Sequence, residues 1–481
     1  MGELLGQLVG FVKEYWEILD LLLVVIGLSV YVVASHTLQQ RRHPSAAIAW
    51  VLGILLLPYI VLPLYLAFGS RKLAALPVER HAPQLALPSR PLLATALRSQ
   101  QLGMAMGLPQ PVAYGKLSIH GDGAQALESL CRMISQATRT LEVSTFILGR
   151  DAVGGDIAER LKQRARAGVK VRLLIDGVGI YLSRLPDIKG LQAAGVEVVR
   201  FVPPFRSPKR GRTNLRNHRK MVIADGACLW CGGRNLSAEY FEAGSSLRSI
   251  LSGTPWVDLT FDVEGAIVDQ ARSLFDKDWA FATEQAAPLP QSPLLGAGVG
   301  CLAERGAQVV DSGPDRVDDT IFTLLVSACF TSQRRILAVT PYFVPEPSLL
   351  TAMTLAARRG VVVDLVLPAR SNHRLADVAR HRSLRDLVSA GARVWLHPAM
   401  IHAKAVVIDD ELALAGSANL DGRSLFLNYE MMIAFYDNEA VRGFASWVGA
   451  RLRESKPYHP VVPSLWREIA EGLILWLAFQ L

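Results

Sequence analysis

The chain has 481 residues and a mass of 52.5 kDa, which excludes a single small domain built around one core. Hydrophobic residues make up 51% of it and the mean hydropathy is +0.26, a composition typical of a membrane-associated protein. The net charge of +8 and the pI near 9.3 favour a partner that carries phosphates.

Two apolar segments near the N-terminus explain the hydrophobic excess. They span about residues 18–34 and 46–68, and each predicts a transmembrane helix, although the first is near the short limit. Pro58 and Pro63 are expected to kink the second helix. Residues 1–72 are therefore predicted to form a membrane anchor that crosses the bilayer twice.

The charges around these segments leave the sidedness open. Arg41 and Arg42 lie between the segments, whereas Arg71, Lys72 and Arg80 follow them. Basic residues favour the cytoplasmic side of a membrane. With two full crossings the two basic groups would lie on opposite sides, so their number does not decide the orientation. A cytoplasmic location of the rest of the chain is the expectation, and a re-entrant second segment would change the argument.

A Pro-rich stretch over residues 73–110 is typical of a linker or an interfacial apron. Strand-like and helix-like runs alternate after it. Helices are expected to end at Gly168, Gly195, Gly360 and Gly391, because each of these glycines directly precedes a Val-rich run. This alternation predicts an α/β fold with mostly parallel sheets.

The α/β region is predicted to consist of two halves, at 111–290 and 291–460, connected through 286–297. Pseudo-twofold packing of the halves would let both face one cleft. An apolar tail follows over 461–481. Its two Trp residues are compatible either with a tail that dips into the membrane interface or with a helix packed on the domain.

A dense basic run lies in the first half and contains no acid: Arg206, Lys209, Arg210, Arg212, Arg216, Arg219 and Lys220. Such a run is typical of a solvated loop, a nucleic-acid site or an anionic lipid surface. Beside two membrane segments, a lipid partner is favoured over nucleic acid.

Five cysteines are present, and Cys228 and Cys231 have C-x-x-C spacing. No second pair completes a zinc site. We expect reduced thiols, no metal and no cofactor.

One motif, H-x-K-x4-D-x6-G-(G/S)-x-N, occurs twice. Each copy runs into an apolar strand, over 221–223 in the first and 405–408 in the second. Two matched copies predict an internal duplication with one half-site in each copy. The candidate residues are His218, Lys220, Asp225 and Asn235 in the first copy and His402, Lys404, Asp409 and Asn419 in the second.

The residue types in this motif indicate phosphoryl-type transfer. Side chains two apart on a strand share a face, so each His and its Lys are expected to point the same way. A neutral imidazole can attack phosphorus, while an ammonium group and an amide hold the non-bridging oxygens. The second imidazole can then protonate the leaving alkoxide and activate the next acceptor. A lone His on a strand is more often a core residue, but two matched copies favour catalysis.

The sequence around both motifs resembles that of the bacterial cardiolipin synthases of the phospholipase D superfamily. The resemblance covers nearly the whole chain and is carried by RNHRKMVIADG, WCGGRNLSAEYF, WVDLTFDVEG, SGPD, TPYFVPE, IHAKAVVID and GSANLDGRSLFLNYE, together with the two apolar segments. Gly233 departs from the pattern, because the second copy has Ser417 there, and the stretch from Ser371 to His373 is more polar than in the family.

The resemblance implies a fold of two duplicated phospholipase D-like α/β halves that share one active-site cleft. It also implies that Asp225 and Asp409 support the site, and that later carboxylates orient the imidazoles. By position, Asp258 is assigned to His218 and Glu430 to His402, and the alternative for both acids is a surface carboxylate.

The same resemblance implies a multi-pass enzyme of the bacterial inner membrane. It would transfer a phosphatidyl group from one phosphatidylglycerol to another through a phosphatidyl-histidine, giving cardiolipin and glycerol. No nucleic acid is expected as a partner, and the oligomeric state is left open. A phospholipase or nuclease that uses water as the acceptor, and a non-catalytic scaffold, are the rival interpretations.

Overall fold

The computed structural model describes most of the chain. It does not describe residues 1–14, 17, 19, 34–43, 70–93, 184–185, 204–213, 242–255, 286–304 and 478–481. The chain divides into two compact units. One comprises 1–78 with 204–215 and 314–317, and the other comprises the remainder, including all other residues of both predicted halves. The predicted connection at 286–297 and residues 206–212 of the basic run lie outside the described residues.

Eighteen strands are described. They are Val112–Ile119 (β1), Thr140–Thr145 (β2), Lys170–Asp176 (β3), Glu197–Phe201 (β4), Arg216–Asn217 (β5), Met221–Ala224 (β6), Cys228–Gly232 (β7), Thr260–Gly265 (β8), Gly306–Ser312 (β9), Arg335–Val339 (β10), Phe343–Val344 (β11), Val362–Pro368 (β12), Arg393–His397 (β13), Ala405–Ile408 (β14), Leu412–Gly416 (β15), Leu420–Asp421 (β16), Asn428–Phe435 (β17) and Lys456–Pro457 (β18).

The helices follow the same chain order. They are 20–33 (α1), Pro44–Leu56 (α2), Pro58–Phe68 (α3), Ala94–Ala105 (α4), Gly123–Gln136 (α5), Ala152–Arg166 (α6), Gly179–Leu182 (α7), Ile188–Ala193 (α8), Ile267–Thr283 (α9), Thr320–Thr331 (α10), Pro347–Arg358 (α11), Arg374–Ser389 (α12), Gly422–Phe426 (α13), Asn438–Arg453 (α14) and Leu465–Leu477 (α15), with a 3-10 turn at Ala238–Tyr240.

The helix ends confirm the glycine signals in the sequence. Gly168, Gly195, Gly360 and Gly391 have φ of 89°, 94°, 90° and 100°. This left-handed region is open to glycine at little cost, so each glycine reverses the chain after a helix and feeds the next strand. The repeated helix-to-strand steps in the two halves therefore have the same local cause.

One continuous sheet runs through both halves. Its order is β18-β13-β12-β10-β14-β15-β17-β9-β1-β8-β7-β6-β2-β3-β4, and β9 and β1 pair at its centre. Outward from this central pair, the two sides have equivalent strands as far as β13 and β4, and β18 is an addition beyond β13, so the duplication appears as pseudo-twofold symmetry of the sheet. The first half has its core around Leu130, Leu173 and Trp230, and the second around Leu325 and Leu365.

The prediction of mostly parallel sheets was wrong. Only the outer strands β2-β3-β4 and β10-β12-β13 pair in parallel in the main path, and the strands between them are antiparallel. The physical reason is that β6-β7 and β14-β15 are hairpins. A hairpin joins antiparallel neighbours through a short turn, whereas parallel neighbours need a crossover helix.

The two apolar segments are helical where they are described. The second segment is not one kinked helix: α2 ends at Leu56, and α3 begins at Pro58. Pro is well tolerated at the start of a helix, because the N–H that it lacks has no partner within the helix at that position. Within the described residues, no helix combines the length and the apolar character needed to cross a membrane.

Two terminal regions pack on the second half. Part of the predicted linker is the helix α4, where the Thr95 backbone N–H donates to Glu411 at 2.7 Å. In the tail, Arg385 of α12 donates to Glu471 of α15 at 2.6 Å, and the Glu471 side chain is 1% exposed. The described part of the tail is therefore a helix packed on the domain, whereas Leu465 and Trp466 at its start stay exposed.

Candidate active site

The two catalytic motifs lie at the starts of equivalent strands. β6 begins directly after Lys220 and β14 directly after Lys404, as the apolar runs predicted. Lys404 Nζ lies 2.7 and 3.0 Å from the two ring nitrogens of His402, which confirms that this His and Lys share a face. In the first copy, Lys220 Nζ donates to the His218 backbone carbonyl at 2.6 Å.

The carboxylate partners of the histidines are exchanged relative to the prediction. His218 Nδ1 lies 3.0 Å from Glu430 Oε1, and His402 Nδ1 lies 2.7 Å from Asp258 Oδ2. Each imidazole is therefore oriented by a carboxylate from the other half. The assignment of Asp258 to His218 and of Glu430 to His402 was wrong, and so was the alternative of surface carboxylates, because both acids are fully buried.

Strand register explains the exchange. β5 of the first half pairs in parallel with β17 of the second, and Asn217 is the partner of Tyr429. His218 directly follows β5, and Glu430 is the residue after Tyr429 in β17, so the two meet. An isolated parallel bridge between Val257 and Ile401 brings the following residues, Asp258 and His402, together in the same way.

Both imidazoles are held neutral in the free site. Burial and the neighbouring lysine charges lower the pKa of His218 to about 4, against the opposing effect of Glu430. Burial and Lys404 lower the pKa of His402 to about 3. A carboxylate on Nδ1 fixes the tautomer that leaves the Nε2 lone pair available, so either ring can act as a nucleophile or a base.

The lysines have unusually weak affinity for their protons. Burial, reinforced by the charge of Lys404, lowers the pKa of Lys220 to about 7, and burial lowers the pKa of Lys404 to about 8. Both side chains are about 1% exposed. Two buried ammonium groups whose charges repel each other favour a bound anion, because an anion relieves both their desolvation and their mutual repulsion.

The departure at Gly233 has a steric cause. A Cβ atom on Gly233 would lie 2.2 Å from Asp258 Oδ1, so glycine leaves room for this carboxylate. In the second copy, the hydroxyl of Ser417 donates to Glu430 Oε2 at 2.5 Å. The two copies thus position their carboxylates differently, one by making space and the other by a hydrogen bond.

The structure does not bring Asp225 and Asp409 to the histidines. They follow β6 and β14, at the strand ends farthest from the motif His and Lys, about 13 Å along a four-residue strand. Asp409 accepts hydrogen bonds from the backbone N–H groups of Arg334 at 2.7 Å and Arg335 at 3.0 Å. Asp225 makes the equivalent contacts with residues 138–140. Both carboxylates hold backbone N–H groups of a neighbouring strand, in keeping with a supporting role, and a part for them in the chemistry stays a prediction.

The motif asparagines are buried and incompletely bonded. Asn235 Nδ2 donates to the Tyr240 hydroxyl at 2.8 Å. Within the part of the chain that is described, Asn235 Oδ1 and Asn419 Oδ1 have no hydrogen-bond partner. The assignment of O and N in an amide follows the hydrogen-bond network, so the unsatisfied end of either side chain can act as donor or acceptor to a ligand.

Aromatic residues around the histidines were not anticipated. Phe146 contacts the His218 ring edge-on at 5.5 Å between centroids. Tyr240 and Trp256 lie 5.2 and 5.6 Å from the His402 ring. These rings exclude water and contribute to the burial that lowers the imidazole pKa values. Tyr240 and Trp256 belong to the stretches that carried the family resemblance, so the resemblance could have identified them as site residues.

The described part of the basic run is not an exposed lipid-binding surface. Arg216 pairs with Asp176 at 3.5 Å, and Arg219 pairs with Asp278. Arg216 and Arg219 are both buried. The expectation that these two arginines contact an anionic lipid surface was wrong, because they are buried and their charges are compensated inside the domain.

Two family models match the chain. The first, described as "Cardiolipin synthase, PLD-like domain", matches residues 130–279 and 326–451, which contain the two motifs. The second, described as "Phospholipase_D-nuclease N-terminal", matches residues 22–70.

Individual proteins agree with these matches. The chain is 32% identical over 450 residues to cardiolipin synthase A of Pseudomonas aeruginosa (strain LESB58), covering 90% of this chain and 89% of that protein. It is 32% identical over 423 residues to cardiolipin synthase A of Pseudomonas syringae pv. syringae (strain B728a), covering 84% and 86%.

Among solved structures, phosphatidylserine synthase of Haemophilus influenzae Rd KW20 superposes with a TM-score of 0.61. The identity is 14%, and the match covers 80% of this chain and 100% of that one. This similarity supports the fold of two phospholipase D-like regions.

Proposed function

This chain belongs to the family of cardiolipin synthases with a phospholipase D-like domain, and on that premise we propose that it is a membrane-bound phosphatidyltransferase. Its donor and its acceptor are both phosphatidylglycerol, and its products are cardiolipin and glycerol. The observation that carries the proposal is the pair of buried imidazoles, each oriented by a carboxylate from the opposite half.

In the first step, Nε2 of His218 attacks the donor phosphorus and a P–N bond forms. The P–O bond to the donor's terminal glycerol breaks, and His402 transfers a proton to the leaving oxygen. The incoming phosphodiester anion raises the pKa of His402, which allows this imidazole to carry that proton. Asp258 then stabilises the imidazolium cation.

In the second step, neutral His402 removes a proton from a glycerol hydroxyl of the second phosphatidylglycerol. The resulting oxygen attacks phosphorus, the P–N bond breaks and His218 returns to its neutral form. Lys220, Lys404, Asn235 and Asn419 are assigned to the non-bridging oxygens in both steps. The assignment of His218 as the nucleophile is supported by its exposure, since 14% of its side chain is accessible against 6% for His402.

We further propose that the enzyme acts at the bacterial inner membrane. Residues 22–70 match the N-terminal family model, and the described part of this segment exposes many large apolar side chains. Attachment to the bilayer would hold the site where lipid hydroxyls are concentrated and water is partly excluded.

The test is product analysis with purified protein in vesicles whose only lipid is phosphatidylglycerol. We expect glycerol and cardiolipin in nearly equal amounts, little phosphatidic acid, and reversal of the reaction when glycerol is added. The His218→Ala and His402→Ala variants serve as inactive controls. If phosphatidic acid dominates, water is the acceptor and the protein is a phospholipase D.

A further inference from the structure

The helices α2 and α3 fold back on each other as a hairpin with its apex at Leu57. Trp50 and Tyr65 are in edge-on contact, with 5.2 Å between ring centroids. A Cβ atom on Gly53 would lie 3.0 Å from a side-chain carbon of Val61. In one continuous helix, residues 50 and 65 would be about 22 Å apart along the axis. These contacts therefore require antiparallel limbs.

The helix α1 packs against both limbs of this hairpin. A Cβ atom on Gly27 would lie 2.8 Å from Ile54 and 3.7 Å from Leu62, so the absence of a side chain permits close contact. Tyr31, near the end of α1, contacts Tyr65 near the end of α3 at 5.4 Å between centroids. The C-terminal end of α1 and the open end of the hairpin are therefore at the same level.

The surface of the hairpin is apolar on its exposed side. Residues 44–68 contain no charged side chain. The apex is among the most exposed parts, with Leu56 75% and Leu57 55% accessible. Further exposed apolar side chains of the two limbs are Ile48, Leu52, Leu55, Tyr59, Ile60, Leu64 and Leu66. An apolar surface of this extent is typical of a segment that a partner or a membrane covers.

We infer that α2 and α3 form a re-entrant hairpin that enters the bilayer from one side and returns to the same side. Limbs of 13 and 11 residues are about 20 and 17 Å long, so they reach past the middle of a hydrocarbon core of about 30 Å without crossing it. The apex at Leu57 lies at that depth, and beside it the Tyr59 hydroxyl donates to the Asp20 carboxylate of α1. Membrane attachment itself rests on the proposed function.

Because the limbs are antiparallel, the chain enters α2 and leaves α3 at the same end of the hairpin. Both limbs therefore meet the same side of the bilayer.

The first arm of the test measures the hairpin directly in native membranes. A Gly53→Cys/Val61→Cys chain is oxidised, and the peptide that contains both positions is analysed by mass spectrometry. The matched control is Leu52→Cys/Ile60→Cys, which has the same spacing but exposed positions. We expect a disulfide in the first chain and little in the second. Equal absence of the bond in both overturns the hairpin.

The second arm measures sidedness with a membrane-impermeant maleimide in right-side-out and inverted vesicles. Labelling of Gln39→Cys and Ala75→Cys is read at the peptide level, so the native cysteines do not interfere. We expect both positions to react from the same side, that is, in one type of vesicle and not in the other. Reaction from opposite sides shows two crossings and overturns the inference. Neither arm depends on lipid products, so failure of the proposed function is distinguishable from failure of the hairpin.

Discussion

The imidazole of His218 and the carboxylate of Glu430 are in contact at 3.0 Å although they are 212 positions apart and belong to different halves. The reciprocal pair, His402 and Asp258, is likewise a contact between residues of different halves. Neither half therefore contains a complete histidine and carboxylate pair. The site forms only when the strands of both halves are in register, which couples catalysis to docking of the halves.

Replacement of Glu430 should impair the chemistry of His218. Glu430→Gln keeps the size of the side chain but removes the charge that fixes the tautomer and stabilises the cation. We expect kcat to fall by roughly 10²- to 10⁴-fold with a smaller change in KM. Glu439→Gln, on the exposed surface, is the control and should be neutral. Wild-type turnover of Glu430→Gln would contradict a role for this pair.

Trapping of the covalent intermediate should distinguish the two histidines. With a donor whose leaving group needs no protonation, His402→Ala should still form a phosphatidyl adduct on His218, which accumulates because the base for the second step is missing. Peptide mapping by mass spectrometry locates the adduct. An adduct on His402 in the His218→Ala protein would reverse the assigned roles.

Asp258 and Glu430 are positioned in different ways, so exchanging Gly233 and Ser417 between the two copies should have unequal effects. Gly233→Ser places a side chain where Asp258 lies, so it should displace this carboxylate and lower kcat strongly. Ser417→Gly removes the hydrogen bond to Glu430, a loss of about 1–3 kcal/mol, and the one accepted from the Met431 backbone N–H, but it introduces no clash and should retain more activity. The measurement is steady-state cardiolipin formation. A more active Gly233→Ser protein would contradict the steric argument.

Asp409 should matter for stability more than for chemistry. Its carboxylate accepts backbone N–H bonds at the start of β10, and its φ of 53° is one that Asn also tolerates. Asp409→Asn should lower the free energy of unfolding by about 1–3 kcal/mol through weaker hydrogen bonds. Calorimetry and turnover per folded molecule check this. A large loss of kcat without a loss of stability would show that Asp409 contributes to catalysis.

The activity should depend on pH in a bell shape. Attack needs a neutral imidazole, and the pKa of His218 is about 4, so kcat/KM should fall as the pH drops towards that value. Anion binding needs protonated lysines, whose pKa values are about 7 and 8, so kcat/KM should also fall as the pH rises through this range. A bound phosphodiester raises both lysine pKa values, which moves the basic limb of kcat to higher pH.

The variant Lys220→Arg tests the basic limb. Arginine stays protonated across the accessible pH range. If deprotonation of Lys220 causes the fall of kcat/KM at high pH, that fall should be absent from the residual activity of the variant. Lys116→Arg, in a strand away from the motifs, is the matched control and should leave the profile unchanged. An unaltered basic limb in Lys220→Arg would assign it to another group.

The sequence by itself determined the features that depend on neighbours along the chain. The repeated spacing of His, Lys and Asn identified two half-sites, and the glycines at 168, 195, 360 and 391 identified helix ends. These are local properties, because a strand's alternation and a left-handed φ are set within a few residues. The α/β character and the duplication followed from the same local patterns.

Only the tertiary structure decided which partners meet across the sheet. The pairing of β5 with β17 brings Glu430 to His218, and the contact of Trp50 with Tyr65 folds one apolar run into a hairpin. No residue spacing encodes these contacts, since position within a half predicted the opposite carboxylate. Strand register and helix packing are set by the burial of side chains distant in sequence, and that burial exists only when the chain is folded.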